Sequence, residues 1–191
     1  MPKSPNEMGE AIARNLPGKT GRTFEQWVEL TRKEGPATRK DRIAWLKSGH
    51  GLGTVTANFI AAEAEGRSII DTYADEEALL DGMYAGDRAS LRPLYDDLAK
   101  AVRRLGKDVG LTVCKTYVGI RRARQFAIIK PGRRPHVDVG LALPDVKPGG
   151  RLLKAGSLGN DRMSHRIEIA TKKDIDAELR QWLKAAYERA V

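Results

Sequence analysis

Along residues 1–64, apolar positions recur at helical spacing and are interrupted by Pro and Gly. Capping motifs, in which a Ser or Thr is followed three residues later by Glu or Gln, begin at Ser4 and Thr23. The first helix is expected to end before Leu16-Pro17-Gly18, because Pro and Gly interrupt helices. A third helix is predicted to run from Thr38 to Gly49.

The next segment combines that third helix, a tight turn built on Gly51, Leu52 and Gly53, and a further helix. Glycine permits a positive φ and a close backbone approach, and the first N–H groups of the following helix can bind a phosphate oxygen. The turn resembles the hairpin of helix–hairpin–helix DNA-binding modules, although His50 stands where that motif usually has Pro. The alternative is an ordinary corner between two helices, with His50 on the surface. The candidate phosphate contacts of this half are Arg42, Lys47, Gly51, Gly53 and Thr54.

The second half begins with another amphipathic helix and then changes its period. Apolar residues recur at helical spacing from Ser90 to Gly106. Runs rich in β-branched residues then predict antiparallel strands, the first three in a meander, at residues 111–120, 125–130, 136–143 and 166–170. A last helix, capped at Thr171–Asp174, is expected to pack with helix 90–105 on one face of the sheet.

These patterns predict an α+β protein with a small N-terminal helical domain and a C-terminal antiparallel sheet packed by two helices. Charge is distributed unevenly between these parts. Residues 61–99 carry ten acidic and three basic side chains, whereas residues 100–154 carry fourteen Lys or Arg and three Asp or Glu. We therefore predict domains at 1–64 and 89–191, joined by an acidic linker or docking segment at 65–88.

The chain of 191 residues has a formal net charge of +9, which favours polyanionic partners. Basic residues cluster in the predicted turns of the C-terminal sheet, and arginine suits bidentate phosphate contacts. The alternative is a solvated sheet edge at which charge opposes aggregation. The candidate nucleic-acid contacts in this half are Lys115, Arg121, Arg122, Arg124, Arg133 and Arg134.

Two segments resemble families of uncharacterised bacterial proteins. Residues 84–191 are similar to domain of unknown function 5655, through motifs that include Lys115-Thr116-Tyr117-Val118 and Val137-Asp138-Val139-Gly140-Leu141. Residues 19–64 are similar to domain of unknown function 4287, through Lys19-Thr20-Gly21 and His50-Gly51-Leu52-Gly53. The two domains often occur together. The resemblance implies an α+β C-terminal domain and carries no established activity or catalytic residues.

Familiar catalytic patterns do not fit the chain. The common nuclease core needs a Glu-x-Lys on a strand, and Glu168-Ile169-Ala170 lacks the Lys. A single cysteine, Cys114, excludes an intrachain disulfide and a cysteine-rich zinc site. His136 and Asp138 alternate on one strand face, where they either share a ligand or a metal or form a solvated polar face. No catalytic residue, metal or cofactor is predicted.

Two functions from different classes stay open. The first is non-catalytic, sequence-nonspecific binding of DNA or RNA through the phosphate backbone. The alternative is a module that binds a small ligand or an acidic protein partner and has no nucleic-acid role. Charged residues within the first 20 positions exclude the apolar core of a signal peptide, and no apolar run approaches the roughly 18 residues of a membrane span. We therefore expect a cytoplasmic protein without a membrane partner, of open oligomeric state.

Overall fold

The structure is a computed structural model that describes residues 5–67, 75–132, 135–156, 158 and 161–191. The chain divides into two compact units between Asp75 and Glu76. The first unit is helical and the second combines helices with an antiparallel sheet, so the predicted α+β class is confirmed. Across the described residues, every helix is too short or too polar to cross a lipid bilayer.

Local capping signals explain where the N-terminal helices begin. The predicted capping box at Thr23 is present: its Oγ1 accepts from Gln26 N at 3.2 Å, and Gln26 Oε1 accepts from Thr23 N at 2.8 Å. Thr38 likewise accepts from Asp41 N at 3.2 Å and caps the third helix. The helices described in this unit are α1 (Pro5–Thr20), α2 (Phe24–Glu34), α3 (Arg39–Ser48) and α4 (Thr54–Ala64).

Helix α1 does not end before Leu16, as predicted, but continues through Pro17 and Gly18 to Thr20. Leu16 is buried in the core of the unit, and Thr20 Oγ1 donates to the Leu16 carbonyl at 2.9 Å. The helix ends at Gly21, which has a φ of +72° and donates its N–H to the Pro17 carbonyl at 2.8 Å. The prediction was wrong because tertiary burial outweighs the local breakers. The predicted cap at Ser4 lies outside the described residues.

The C-terminal unit is built on one sheet, with strands in the order β1-β2-β3-β4-β6-β5 and every neighbouring pair antiparallel. The first four strands form the predicted meander. The strands are β1 (Gly110–Val113), β2 (Val118–Arg121), β3 (Gln125–Pro131), β4 (Val137–Leu141), β5 (Leu153–Lys154) and β6 (His165–Ile169). The helices are α5 (Glu76–Met83), α6 (Arg92–Arg103) and α7 (Ala177–Glu188).

Two predicted elements of this unit differ in kind, whereas the bounds of the helix predicted at 90–105 and of the other strands shift by at most two residues. The expected strand 111–120 is divided into β1 and β2 by a turn, in which Cys114 N donates to the Tyr117 carbonyl at 2.9 Å. Apolar residues stand on both sides of that turn, so alternation alone could not locate it. The capping box at Thr171 closes a short 3-10 turn, whereas Asp176 caps α7 by accepting from Leu179 N at 3.0 Å.

The acidic stretch before α6 is held by α6 itself. Within residues 65–88, α5 buries Leu80 and Met83 in the core of the C-terminal unit. The guanidinium of Arg92 contacts Asp81 at 2.8 Å and also pairs with Glu77. Burial and ion pairing therefore attach this part of the acidic segment to the sheet domain.

The two faces of the sheet have different surroundings. Because strand residues alternate between faces, Val137, Val139 and Leu141 of β4 point into the core beneath α5, α6 and α7. Asp138 and Gly140 point to the opposite face. That face carries a small apolar cluster of Ile128, Leu158 and Met163, beside which a polar cavity opens.

Candidate functional sites

The predicted glycine turn joins α3 to α4 in the N-terminal unit. Gly51 has a φ of +67°, a conformation that favours glycine, and it donates its N–H to the Lys47 carbonyl at 3.1 Å. Leu52 is buried and donates to the Leu46 carbonyl at 3.1 Å. Gly53 is the N-cap of α4 and has extended backbone. The turn is therefore anchored to the end of α3 and opens directly into α4.

The start of α4 leaves backbone donors unoccupied. The N–H groups from Gly53 to Thr56 meet no acceptor among the described residues, and Gly53 offers no side-chain cap. A Cβ added at Gly51 or Gly53 would meet no atom within 4 Å, so the approach to these donors is open. Unpaired N–H groups at the positive end of a helix form a binding site for an anion.

His50 supports the turn from inside. Its ring lies edge-on to Trp45 at 4.3 Å and to Trp27 at 5.1 Å between ring centroids. Trp27 in turn donates its indole N–H to Thr20 Oγ1 at 2.9 Å. His50 is half-buried between aromatic rings and is not the free surface residue of the corner interpretation. These contacts pack the start of the hairpin against α2 and α3.

A cavity of about 600 Å³ adjoins the hairpin and gathers cationic and polar groups around it. Lys19 and Arg22, from the junction between α1 and α2, line the cavity together with His50 and both hairpin glycines. The guanidinium of Arg22 lies 5.1 Å from the Trp27 ring centroid. Sequence reasoning missed both cations, although Lys19 belongs to a motif that carries the resemblance to domain of unknown function 4287.

The two cations predicted for this hairpin have other positions. Arg42 is half-buried and donates its Nε–H to the Pro36 carbonyl at 2.7 Å, so it fastens the loop before α3. Lys47 is exposed on α3 but does not line the cavity. The structure thus places Gly51, Gly53 and Thr54 at the open hairpin and adds Lys19 and Arg22 to it.

The predicted basic residues of the sheet domain do not form one uniform surface. Lys115 lies exposed in the turn between β1 and β2, and Arg124 lies exposed between β2 and β3. Arg121 is half-buried at the end of β2, and Arg122 is engaged within the domain. Arg133 and Arg134 lie outside the described residues.

Arg122 connects the first hairpin of the sheet to α7. Its Nε–H donates to Asp108 Oδ2 at 2.6 Å, and its guanidinium lies 4.5 Å from the ring centroid of Tyr187. The Tyr187 hydroxyl donates to Asp108 Oδ1 at 2.7 Å. The Tyr187 hydrogen bond, followed by the Arg122 hydrogen bond, lowers the pKa of Asp108. The same bond to Asp108 raises the pKa of Tyr187.

This network predicts a pH dependence of stability. Because the pKa of Asp108 is lower in the folded state, its stabilising contribution is present above its ordinary pKa of about 3.8 and is lost as pH falls through the folded value. We expect Asp108→Asn to lower the free energy of unfolding at pH 7 and to approach the wild type near pH 2. Urea titrations at both pH values measure this difference, with Asp145→Asn, an exposed loop aspartate, as the control. A difference that persists at pH 2 would contradict the assignment.

A second cavity, of about 530 Å³, lies on the face of the sheet opposite the helices. The strand register places Lys130, Asp138 and Glu168 side by side across β3, β4 and β6. We call these three residues the charged row. Arg166 lies two residues before Glu168 on β6 and shares its face. The predicted strand 136–143 begins one residue later, at Val137, so His136 lies in the bend before β4 and lines the same cavity with Arg166 and Arg88.

Side chains within the charged row are partly paired. Asp138 is 7% exposed, and its Oδ1 lies 3.4 Å from both His136 Nε2 and Arg166 Nη1. Arg166 Nη2 lies 3.1 Å from Glu168 Oε1, while Lys130 Nζ donates to the Leu158 carbonyl at 3.1 Å. The side chains of His136 and Asp138 are only 13% and 11% exposed, so they do not form the solvated polar face that the sequence left open. The spacing of His136 and Asp138 was visible in the sequence, whereas Lys130 and Glu168 join them only through strand pairing.

Comparison with known proteins identifies two families. The family described as Domain of unknown function (DUF5655) matches residues 80–190, and Domain of unknown function (DUF4287) matches residues 10–66. Both matches confirm the resemblance found in the sequence motifs. No curated protein and no solved structure matches the chain.

Proposed function

The chain belongs to the family Domain of unknown function (DUF5655), and we propose that it binds nucleic acid without sequence specificity, through phosphate contacts made by its N-terminal unit. One observation carries this proposal. The open N–H groups from Gly53 to Thr56 and the cations Lys19 and Arg22 meet at one cavity. Helix N-termini and lysine or arginine side chains are common phosphate ligands in protein–DNA interfaces.

The donor groups of the hairpin suit the sugar–phosphate backbone of a nucleic acid better than its bases. Main-chain N–H groups and charged side chains recognise phosphate oxygens, which are the same at every step of a duplex. The exposed glycines let a bulky sugar–phosphate chain approach the donors closely. The basic character of the whole chain, with a net charge of +9, favours association with a polyanion.

Gly53→Val tests the hairpin. Gly53 has a φ of −66°, which valine also adopts, and open space surrounds its Cβ position, so the fold should be retained. The new side chain covers the N-terminus of α4, and we expect binding of random duplex DNA to weaken about tenfold through the loss of hydrogen bonds to charged groups. Fluorescence anisotropy at low salt measures this loss.

A matched control is Gly149→Val, because Gly149 is also exposed and has open space at its Cβ position but lies in the sheet domain. This variant is expected to bind DNA like the wild type. Equal affinity of a folded Gly53→Val variant and the wild type would reject the hairpin as the interface.

Salt dependence separates the cations from the hairpin donors. The slope of log K against log salt is negative, and each phosphate contact that is lost makes it less steep by about 0.9 on duplex DNA. Replacing both Lys19 and Arg22 by glutamine should therefore make this slope less steep by about 1.8, equally for different DNA sequences. An unchanged slope would show that these cations contact no phosphate.

A further inference from the structure

The charged row and its neighbours contain three side chains of types that ligate metals. One ligand atom each from His136, Asp138 and Glu168 lie within 4.8 Å of one another. Asp138 and Glu168 are directly paired across β4 and β6, and His136 lies two residues before Asp138, just outside β4. The two carboxylates stand on neighbouring strands of one sheet, and His136 lies in the bend directly before β4, where its carbonyl accepts from Gly132 N at 2.9 Å. This arrangement brings the three donors near one point, which favours metal coordination.

We propose that this cluster binds one divalent transition-metal ion through His136, Asp138 and Glu168. An imidazole nitrogen with two carboxylate oxygens suits Zn²⁺, Mn²⁺ or Fe²⁺ better than Mg²⁺ or Ca²⁺, which prefer oxygen ligands alone. The cavity of about 530 Å³ above the row leaves room for water or an anion to complete the coordination. The proposal is independent of the nucleic-acid function of the N-terminal unit.

Arg166 is the principal competitor for these carboxylates. It spans Asp138 and Glu168 through its two terminal nitrogens, and the contact to Asp138, at 3.4 Å, is long for a charge-assisted hydrogen bond. Its Nε is buried and has no hydrogen-bond partner in the described part of the chain, so the guanidinium is only partly satisfied in this position. About a third of the side chain is exposed, so it has space to turn away.

The unused acceptor capacity of Asp138 points to the same ion. His136 and Arg166 both approach Oδ1, whereas Oδ2 receives no hydrogen bond from the described residues. Lys130 is paired with Asp138 across the strands but forms no ion pair with its carboxylate. Its ammonium group donates to the Leu158 carbonyl instead. A buried carboxylate whose second oxygen has no partner among the described residues, next to an imidazole nitrogen, is a suitable metal ligand.

Titration calorimetry with MnCl₂ and with ZnCl₂ on the full chain, freed of metal by a chelator, tests the proposal. We expect one ion to bind per chain and Asp138→Asn or Glu168→Gln to weaken binding at least tenfold. Asp97→Asn is the control, since Asp97 is a carboxylate of the same unit that pairs with Lys172 away from the row. The absence of binding up to millimolar metal, or equal affinity in the folded Asp138→Asn variant, would overturn the assignment.

Two further measurements keep the test valid if Asp138→Asn fails to fold. Pulsed electron paramagnetic resonance (electron spin echo envelope modulation) of Mn²⁺ bound to the wild type should show coupling to a ¹⁴N nucleus, and His136→Gln should abolish this coupling. Arg166→Met removes the competing positive charge and should tighten Mn²⁺ binding about tenfold. A wild-type spectrum without nitrogen coupling, or weaker binding by Arg166→Met, would contradict the proposed ligand set.

Discussion

Replacement of Phe126 by alanine is expected to lower the free energy of unfolding of the C-terminal unit by about 3–5 kcal/mol. Phe126 is 1% exposed and is among the largest fully buried side chains of the protein. It lies beside the register shift between β2 and β3, and its ring meets Tyr187 of α7 edge-on at 5.7 Å between centroids. Truncation therefore leaves a cavity between the sheet and the helix, in addition to the lost burial of the ring.

Urea unfolding followed by far-ultraviolet circular dichroism measures this loss. Leu153→Ala is the control within the same unit, because Leu153 is 38% exposed on the short edge strand β5. Its expected effect is within about 0.5 kcal/mol. Similar losses for the two variants would show that Phe126 is not a central core residue.

Leu46→Ala is expected to destabilise the N-terminal unit by about 2–5 kcal/mol. Leu46 of α3 is fully buried, and its carbonyl also accepts the N–H of Leu52 in the hairpin. A unit of this size has a small core, so a loss of that magnitude is a large part of its total stability. Loosening of α3 should also weaken the proposed DNA binding, because the hairpin is anchored to the end of that helix.

Amide exchange identifies which unit the substitution damages. Tryptophan fluorescence reports on both units, because Trp27 and Trp45 lie in the N-terminal unit and Trp182 lies on α7. Since the buried cores of the two units share no residue, Leu46→Ala should unfold the N-terminal unit at lower urea and leave amide-exchange protection in β3 and β4 unchanged. Val55→Ala, at a half-exposed position of α4, is the control. Loss of protection in the sheet would contradict independent cores.

Local chemistry in the N-terminal unit was predictable where a few neighbouring residues are sufficient. Thr23 and Thr38 cap helices because each side chain reaches an N–H three residues away. Gly51 adopts the positive φ that its place in the turn suggested. The helix end predicted from Pro17 and Gly18 was wrong, because the burial of Leu16 extends α1 past both residues.

The candidate sites depended more on tertiary structure. Lys19 reaches the hairpin because α1 packs on α2 and α2 packs on α4, which no periodicity reveals. Arg122 looked like a free cation in a turn, yet Asp108 and Tyr187, distant in sequence, engage it. Long-range packing thus decides which charges remain available to a ligand.

The amino-acid sequence by itself determined the class of each half, the helix starts at Thr23 and Thr38, the glycine hairpin and the spacing of His136 and Asp138, because these follow from side chains within a few residues of one another. Only the tertiary structure decided that Glu168 stands opposite Asp138 and that Lys130 completes the charged row. The physical reason is register: pairing between strands separated by a long connection depends on the packing of the whole sheet, and a shift of one residue would send these side chains to the other face.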